Sequence, residues 1–222
     1  MPQVISPTVE HARQQMIDQQ VRAWAVFEPT VLDVMALIKR EDFVPPPYRN
    51  VAFADTSVRL GHDQSMLAPK LDGKILQALQ VQPTDHVLDV GAGSGFLAAC
   101  LAHLGRHVRS LEIFPALAEQ ARANLHRAAV NNVVVEIYDA MQLDDDQRYD
   151  VIALTGSLPV YDVRFQRALK VGGRLFVVVG TRPVMEAVKI TRIGADQFKR
   201  ETLFETVVEP LVNAPQSSGF VF

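Results

Sequence analysis

From residue 86 to residue 179, short apolar runs alternate with longer stretches whose apolar residues recur every three or four positions. A run of about five apolar residues suits a strand buried on both faces, and the 3.6-residue recurrence suits a helix covering it. The pattern predicts strands at 86–90, 107–112, 133–138, 149–155 and 174–179, with helices at 95–104, 114–129 and 163–169 between them. Gly105 stops the first helix, Pro115 opens the second, and Asn131-Asn132 turns the chain into the third strand. Gly172-Gly173 leads into the fifth strand. Beyond Gly180 the pattern changes, and residues 187–193 and 199–208 read as a hairpin turned at Gly194-Ala195-Asp196. The fold expected is α/β: a Rossmann-like, mostly parallel sheet of seven strands that ends in an antiparallel hairpin.

The first 60 residues lack this alternation. Residues 1–8 read as a loose tail. From Val9 to Val26, Ile17, Val21 and Trp24 share one helical face, with Trp24 expected as a core anchor. Pro29-Thr30 open a second helix, buried through Leu32, Met35 and Ile38, and Lys39-Arg40 suit its C-terminal end. The proline-rich stretch 43–48 reads as an extended connector. Residues 1–60 are therefore expected to form a helical cap packed on a domain spanning 61–222. In that domain, 59–69 reads as a loop entering a helix with Leu71, Ile75 and Leu79 as its apolar stripe. Residues 210–222 end in Phe220-Val221-Phe222 and are expected to pack on the core or on a partner.

Chemistry concentrates where the alternation begins. Val87-Leu88-Asp89-Val90-Gly91-Ala92-Gly93-Ser94-Gly95-Phe96 reads as strand, tight turn and helix. Glycines permit a sharp bend and a close approach by a ligand. A dinucleotide loop would read G-x-G-x-x-G, with pyrophosphate on the helix N-terminus. Here the spacing is G-x-G-x-G, preceded by an acid. That acid suits a ligand with a cationic amino group, such as S-adenosylmethionine, whose carboxylate would take backbone donors. Two further acids close successive strands, Glu112 and Asp139. A carboxylate at Glu112 can accept both ribose hydroxyls, and one at Asp139 can accept from an adenine amino group. Asp89, Gly91, Ala92, Gly93, Gly95, Glu112, Ile113, Asp139 and Ala140 are the candidate cofactor contacts, with Met141 also expected near the ring.

Other chemistries find less support. Asp144-Asp145-Asp146 reads as a solvated turn, and no metal site is expected. There is no G-x-S-x-G nucleophile turn, and Cys100 lies within an apolar helix, where a thiol behaves as a small hydrophobe. His103, His107 and His126 read as structural or surface residues. A net charge of −3 gives no basic footprint for nucleic acid. The single cysteine fits a reducing compartment, and no apolar signal core or run of membrane-spanning length is present. A cytoplasmic monomer or homodimer is expected.

The chain resembles the protein-L-isoaspartate O-methyltransferase family along nearly its whole length. The resemblance runs through Met16-Ile17-Asp18-Gln19-Gln20-Val21-Arg22, Val31-Leu32-Asp33-Val34-Met35 and Arg40-Glu41-Asp42-Phe43-Val44-Pro45. It continues at Ala52-Phe53-Ala54-Asp55, Gly61-His62-Asp63-Gln64 and Leu169-Lys170-Val171-Gly172-Gly173-Arg174-Leu175. It implies a class I methyltransferase fold, S-adenosylmethionine as cofactor and S-adenosylhomocysteine as product. It also implies methyl transfer to the free α- or β-carboxylate of altered aspartyl residues in damaged proteins. A carboxylate acceptor is already ionised near pH 7, so alignment and exclusion of water suffice.

The family's substrate loop reads Gly-x-Gly-Gln-Thr-Ile-Ser-Gln-Pro. Here it reads Gly61-His62-Asp63-Gln64-Ser65-Met66-Leu67-Ala68-Pro69. Gln64 and Pro69 match, and Ser65 stands for Thr. Leu67 and Ala68 replace the loop's later Ser and Gln, and Asp63 replaces its second Gly. His62, Gln64 and Ser65 are the candidate catalytic residues. Three readings stay open at this point: the isoaspartyl carboxyl methyltransferase, acting on a peptide or protein; a relative that methylates a small molecule, with His62 or Asp63 as base; and a protein that only binds cofactor or partner.

Overall fold

The computed structural model describes residues 7–216. Most of the tail expected at 1–8, and all of Phe220-Val221-Phe222, lie outside the described residues. Two strands precede the main sheet, β1 (Val58–Gly61) and β2 (Gln64–Met66). The sheet then forms from β3 (His86–Val90), β4 (His107–Glu112), β5 (Val133–Ile137), β6 (Tyr149–Leu158), β7 (Leu169–Thr181), β8 (Val184–Arg192) and β9 (Phe198–Glu205). Its seven strands run in the order β5-β4-β3-β6-β7-β8-β9. The first five of that order pair in parallel, and β8 and β9 are antiparallel. The expected sheet and closing hairpin are both present.

The strand sequences explain the layering. Alternate residues of each central strand enter separate cores: Val87 and Val151 one, Leu88 and Ile152 the other. Both faces must therefore be covered, as continuous apolar runs require. The helices α3 (Pro69–Leu79), α4 (Phe96–Leu104) and α5 (Pro115–Arg127) supply core residues on the first face. The short α6 (Arg164–Arg167), with Met141 and Leu143, serves the second. The edge strand β9 carries Lys199, Arg200 and Glu201, charges that discourage pairing with another chain. The chain steps outward from β3 to β4 and β5, then returns to the other side of β3 as β6. That reversal opens a crevice at the carboxyl ends of β3 and β6, where such sheets bind ligands.

The cap and the loop that follows it differ from expectation in five places. The first helix, α1 (Pro7–Met16), gives way to a widened turn at Ile17–Val21 and a 3₁₀ turn at Arg22–Trp24. Ile17 and Val21 are buried as expected, whereas Trp24 is 38% exposed and anchors no core. The change of helical period rotates Trp24 off the face it would share in a uniform α-helix. In α2 (Pro29–Leu37) the fully buried residues are Val31, Val34 and Met35, with Leu32 and Ile38 only partly covered. Arg40, expected at the C-terminal end of this helix, lies beyond it and is a fully buried side chain. The proline-rich connector turns into a 3₁₀ helix at Pro46–Val51 after the extended Pro45. Finally, the loop expected at 59–69 begins as a hairpin of β1 and β2. His62 and Asp63 form its turn with φ of +53° and +57°, values that local propensity alone would assign to Gly or Asn.

Candidate active site

The glycine stretch folds into the turn that joins β3 to α4. Gly91, Gly93 and Gly95 have φ of +90°, +53° and +85°, conformations that suit glycine. A Cβ at Gly91 would also run into the Thr155 hydroxyl. That hydroxyl donates between the Val90 and Gly91 carbonyls, at 2.9 Å from each, and ties β6 to the turn. The expectation that the loop's N–H groups serve a ligand needs correction. The Gly91 and Ala92 amides donate to the Leu111 carbonyl, at 2.8 and 3.1 Å. The Gly93 amide donates to Glu112 Oε2 at 2.9 Å. These donors already have partners within the protein.

Glu112 is thus both a wall of the crevice and the clasp of the glycine turn. Its other oxygen accepts the Phe114 amide at 3.1 Å. A carboxylate offers about four acceptor sites, so two remain for a ligand. Asp139 caps the short 3₁₀ turn Ala140–Gln142, accepting the Met141 amide at 2.9 Å and the Asn213 side chain at 3.0 Å. Glu112, Ile113, Asp139 and Ala140 all line one cavity of about 350 Å³, together with Gly91 and Gly93. This is within the size range of small-molecule sites. Met141, Ala92 and Gly95 do not line it; Met141 and Ala92 are core residues, and Gly95 packs against α5.

Asp89 also stands behind the cavity wall rather than in it. It is buried, and Ser110 donates to its Oδ2 at 2.6 Å. Its Oδ1 has no hydrogen-bond partner among the described residues. Burial pushes its pKa up to about 7, against the Ser110 hydrogen bond and helped by the charges of Glu112 and Asp72. An unpartnered buried carboxylate oxygen directly before the glycine turn is a place for a cationic or hydrogen-bonding group.

The other half of the cavity is walled by residues 64–71. Gln64, Ser65, Leu67 and Ala68 all face it. His62 does not: it lies on a neighbouring cleft, stacked on Phe114 with centroids 4.6 Å apart. Asp63, at the exposed hairpin tip, is absent from the wall too. Three contributions escaped sequence reasoning. Trp24, expected in the core, lines the cavity, and Lys70 Nζ sits 4.2 Å from its ring centroid while donating to Asp55 at 2.7 Å. Val207 and Leu211 also line it, with Thr206, Val208, Glu209 and Val212 of the same segment. Thr155 could have been found by extending the strand-end rule to β6; the segment 206–212 leaves no local signal.

Beneath the acceptor-side wall lies a buried ion pair. Arg40 donates to Asp72 at 2.7 Å, to the Leu67 carbonyl at 2.6 Å and to the Ala52 carbonyl at 3.0 Å. Burial lowers the Arg40 pKa and raises that of Asp72 to about 7, in each case against the attraction of the other. Among the described residues no group of three or more His, Cys, Asp or Glu side chains could hold a metal ion. Asp145, expected in a solvated turn, instead accepts from Arg109, Arg148 and Tyr149. Cys100 is fully buried. Among the described residues no helix is long and apolar enough to cross a membrane.

A family model described as protein-L-isoaspartate(D-aspartate) O-methyltransferase matches residues 11–216. A protein-L-isoaspartate O-methyltransferase of Rhodopseudomonas palustris is 35% identical over 201 residues, covering 90% of this chain and 92% of its own length. A protein of the same name from Methanoregula boonei is also 35% identical, with the same coverage. Among solved structures, a Plasmodium falciparum chain superposes with a TM-score of 0.78, covering 90% of this chain and 97% of that one. It is described as a candidate protein-L-isoaspartate O-methyltransferase in complex with S-adenosyl-L-homocysteine. At 18% identity that likeness carries the fold alone.

Proposed function

Since the chain belongs to the protein-L-isoaspartate(D-aspartate) O-methyltransferase family, we propose that it methylates the carboxylate of altered aspartyl residues, with S-adenosylmethionine as donor. One observation carries this reading: a single cavity joins the strand-end acids on one side to residues 64–71 on the other. Glu112, with two acceptor sites left over, suits the ribose hydroxyls. Asp139 keeps lone pairs free for an adenine amino group, and Ile113 and Ala140 offer the ring apolar contact. Asp89, behind the wall, would act on the amino-acid end of the cofactor through its charge and not by direct contact. The cofactor supplies a methyl group on a sulfonium, an electrophile that needs no activation by the protein.

The protein's part is then alignment and drying. An acceptor carboxylate is ionised near pH 7, so no base has to remove a proton. Gln64 and Ser65 can hold the acceptor chain by hydrogen bonds. Leu67, Leu71, Val207 and Leu211 keep water from the line of attack. A hydroxyl acceptor would need a base; His62 and Asp63, the side chains suggested for that, do not line the cavity. The net charge of −3 and the single cysteine support a cytoplasmic enzyme of peptide and protein substrates rather than of nucleic acid. The first 60 residues act as a cap that shapes the acceptor side, through Trp24, Asp55 and Arg40.

Two measurements test the reading. Calorimetry with S-adenosylhomocysteine should show saturable binding. Transfer of a labelled methyl group should favour an isoaspartyl peptide over the same peptide with normal aspartate. Cofactor binding without any preference for the isoaspartyl peptide would overturn the proposed acceptor.

A further inference from the structure

We propose that Lys70 is the cation that holds the acceptor's carboxylate, with Asp55 as the partner that the carboxylate displaces. This rests on the reading of the acceptor given above. The charged side chains on the cavity wall are Asp55, Glu112, Asp139 and Glu209 against Lys70 and Arg182. An acceptor carboxylate entering a wall with four acids and two cations is repelled unless a cation is placed to receive it. The loop residues that carry hydroxyl and amide side chains in the resembling family are Leu67 and Ala68 here, and neither side chain can hydrogen-bond an anion.

Lys70 supplies what they lack. Pro69 starts α3, and Lys70 on its first turn lines the same wall as Leu67 and Ala68. The ammonium donates to Asp55 Oδ2 at 2.7 Å and stands 4.2 Å from the Trp24 ring centroid. The aromatic face favours a cation there without using its hydrogens. An ammonium has three donors, and Asp55 takes one. Arg182, the other cation, pairs with Glu209 at 2.6 Å. Its side chain is 64% exposed, against 24% for Lys70, so solvent screens it more. Asp55 is 40% exposed and can turn to water when a substrate carboxylate takes its place. This arrangement also accounts for Trp24, the one tryptophan of the chain, standing at the site instead of in the core.

The test uses the full chain with S-adenosylhomocysteine and a peptide bearing one isoaspartyl residue. Its control is the same peptide with that carboxylate replaced by a carboxamide. Trp24 fluorescence reports binding without turnover, and labelled methyl transfer reports KM. Lys70→Gln should raise KM and the fluorescence Kd by about tenfold or more, the loss expected for one hydrogen bond to a charged group. It should also abolish the preference for carboxylate over carboxamide, while Lys70→Arg restores most of both. Asp55→Asn should lower KM, because the competing anion is gone. A bridge that only supports the wall would instead make Asp55→Asn and Lys70→Gln fail alike. That result, or an unchanged KM in Lys70→Gln, overturns the proposal while wild-type transfer to the isoaspartyl peptide leaves the broader reading intact. Cofactor binding without isoaspartyl methylation in the wild type removes both.

Discussion

Asp89→Asn tests whether the acid before the glycine turn is kept at a cost to the fold. Asp89 is buried, and among the described residues it has no cationic partner and its Oδ1 is unpartnered. Its pKa is about 7 in the folded chain, raised from 3.8 chiefly by burial. Between those values the folded state holds a proton that the unfolded chain has released. Stability therefore falls as pH rises through this window, is unpenalised below pH 4, and carries the full penalty above pH 7. A shift of roughly 3 units at 1.36 kcal/mol each sets a ceiling of about 4 kcal/mol. Asparagine is nearly isosteric, keeps an oxygen for the Ser110 hydroxyl and carries no charge. The variant should gain up to about 4 kcal/mol at pH 8 and nothing at pH 4. Urea unfolding without cofactor, at each pH unit from 4 to 8, reads this directly, provided the m value is unchanged. Asp72 titrates in the same range, so wild type shows the slope of two groups and the variant that of one. The difference should approach 1.4 kcal/mol per pH unit at most, about one proton's worth. Parallel pH profiles for the two proteins would refute the argument, as would a variant less stable at pH 8. S-adenosylhomocysteine should in turn stabilise wild type more than the variant, since the charge that destabilises the empty protein serves the ligand.

Glu112→Gln leaves one of the two amides of Gly93 and Phe114 facing an NH₂ group. It should cost about 1–3 kcal/mol of stability and weaken S-adenosylhomocysteine binding at least tenfold, as measured by denaturation and calorimetry. Arg40→Met strands Asp72 without its partner and should cost about 3–5 kcal/mol, whereas adding Asp72→Leu should recover most of the loss in urea unfolding. If the single variant were as stable as wild type, the pair would not be the buried anchor described.

The sheet was legible because its evidence is local. Val87-Leu88 and Val151-Ile152 are buried on both faces, so the sequence must be apolar throughout, and strand-end acids mark where the crevice opens. Glu112 and Asp139 followed from that rule. Their exact company did not: whether the glycine amides serve a ligand or the neighbouring strand depends on the Leu111 carbonyl, a contact set by the β3–β4 register. Trp24 was misread because helical periodicity assumes a uniform helix, and the chain changes period at Ile17–Val21. Arg40 was misread for a related reason. A basic residue after a helix usually meets solvent, and only the position of Asp72, 32 residues later, buries it. His62 was placed in the site because it neighbours Gln64 in sequence. The hairpin turn carries it into a neighbouring cleft.

Arg40 also explains how the acceptor loop tolerates such different side chains. The loop is held by its backbone: the Leu67 carbonyl is gripped by a guanidinium that is itself fixed to Asp72 and to the Ala52 carbonyl. A serine-to-leucine change at residue 67 therefore alters the wall's chemistry without releasing the loop. The same anchoring joins the cap to α3, because Ala52 belongs to the first 60 residues and Asp72 to the helix that carries Lys70. The backbone of Leu67 and the helix that carries Lys70 are thereby held on one frame. On the proposed reading, acceptor recognition rests on side chains along 64–70, across the cavity from Glu112 and Asp139 at the strand ends.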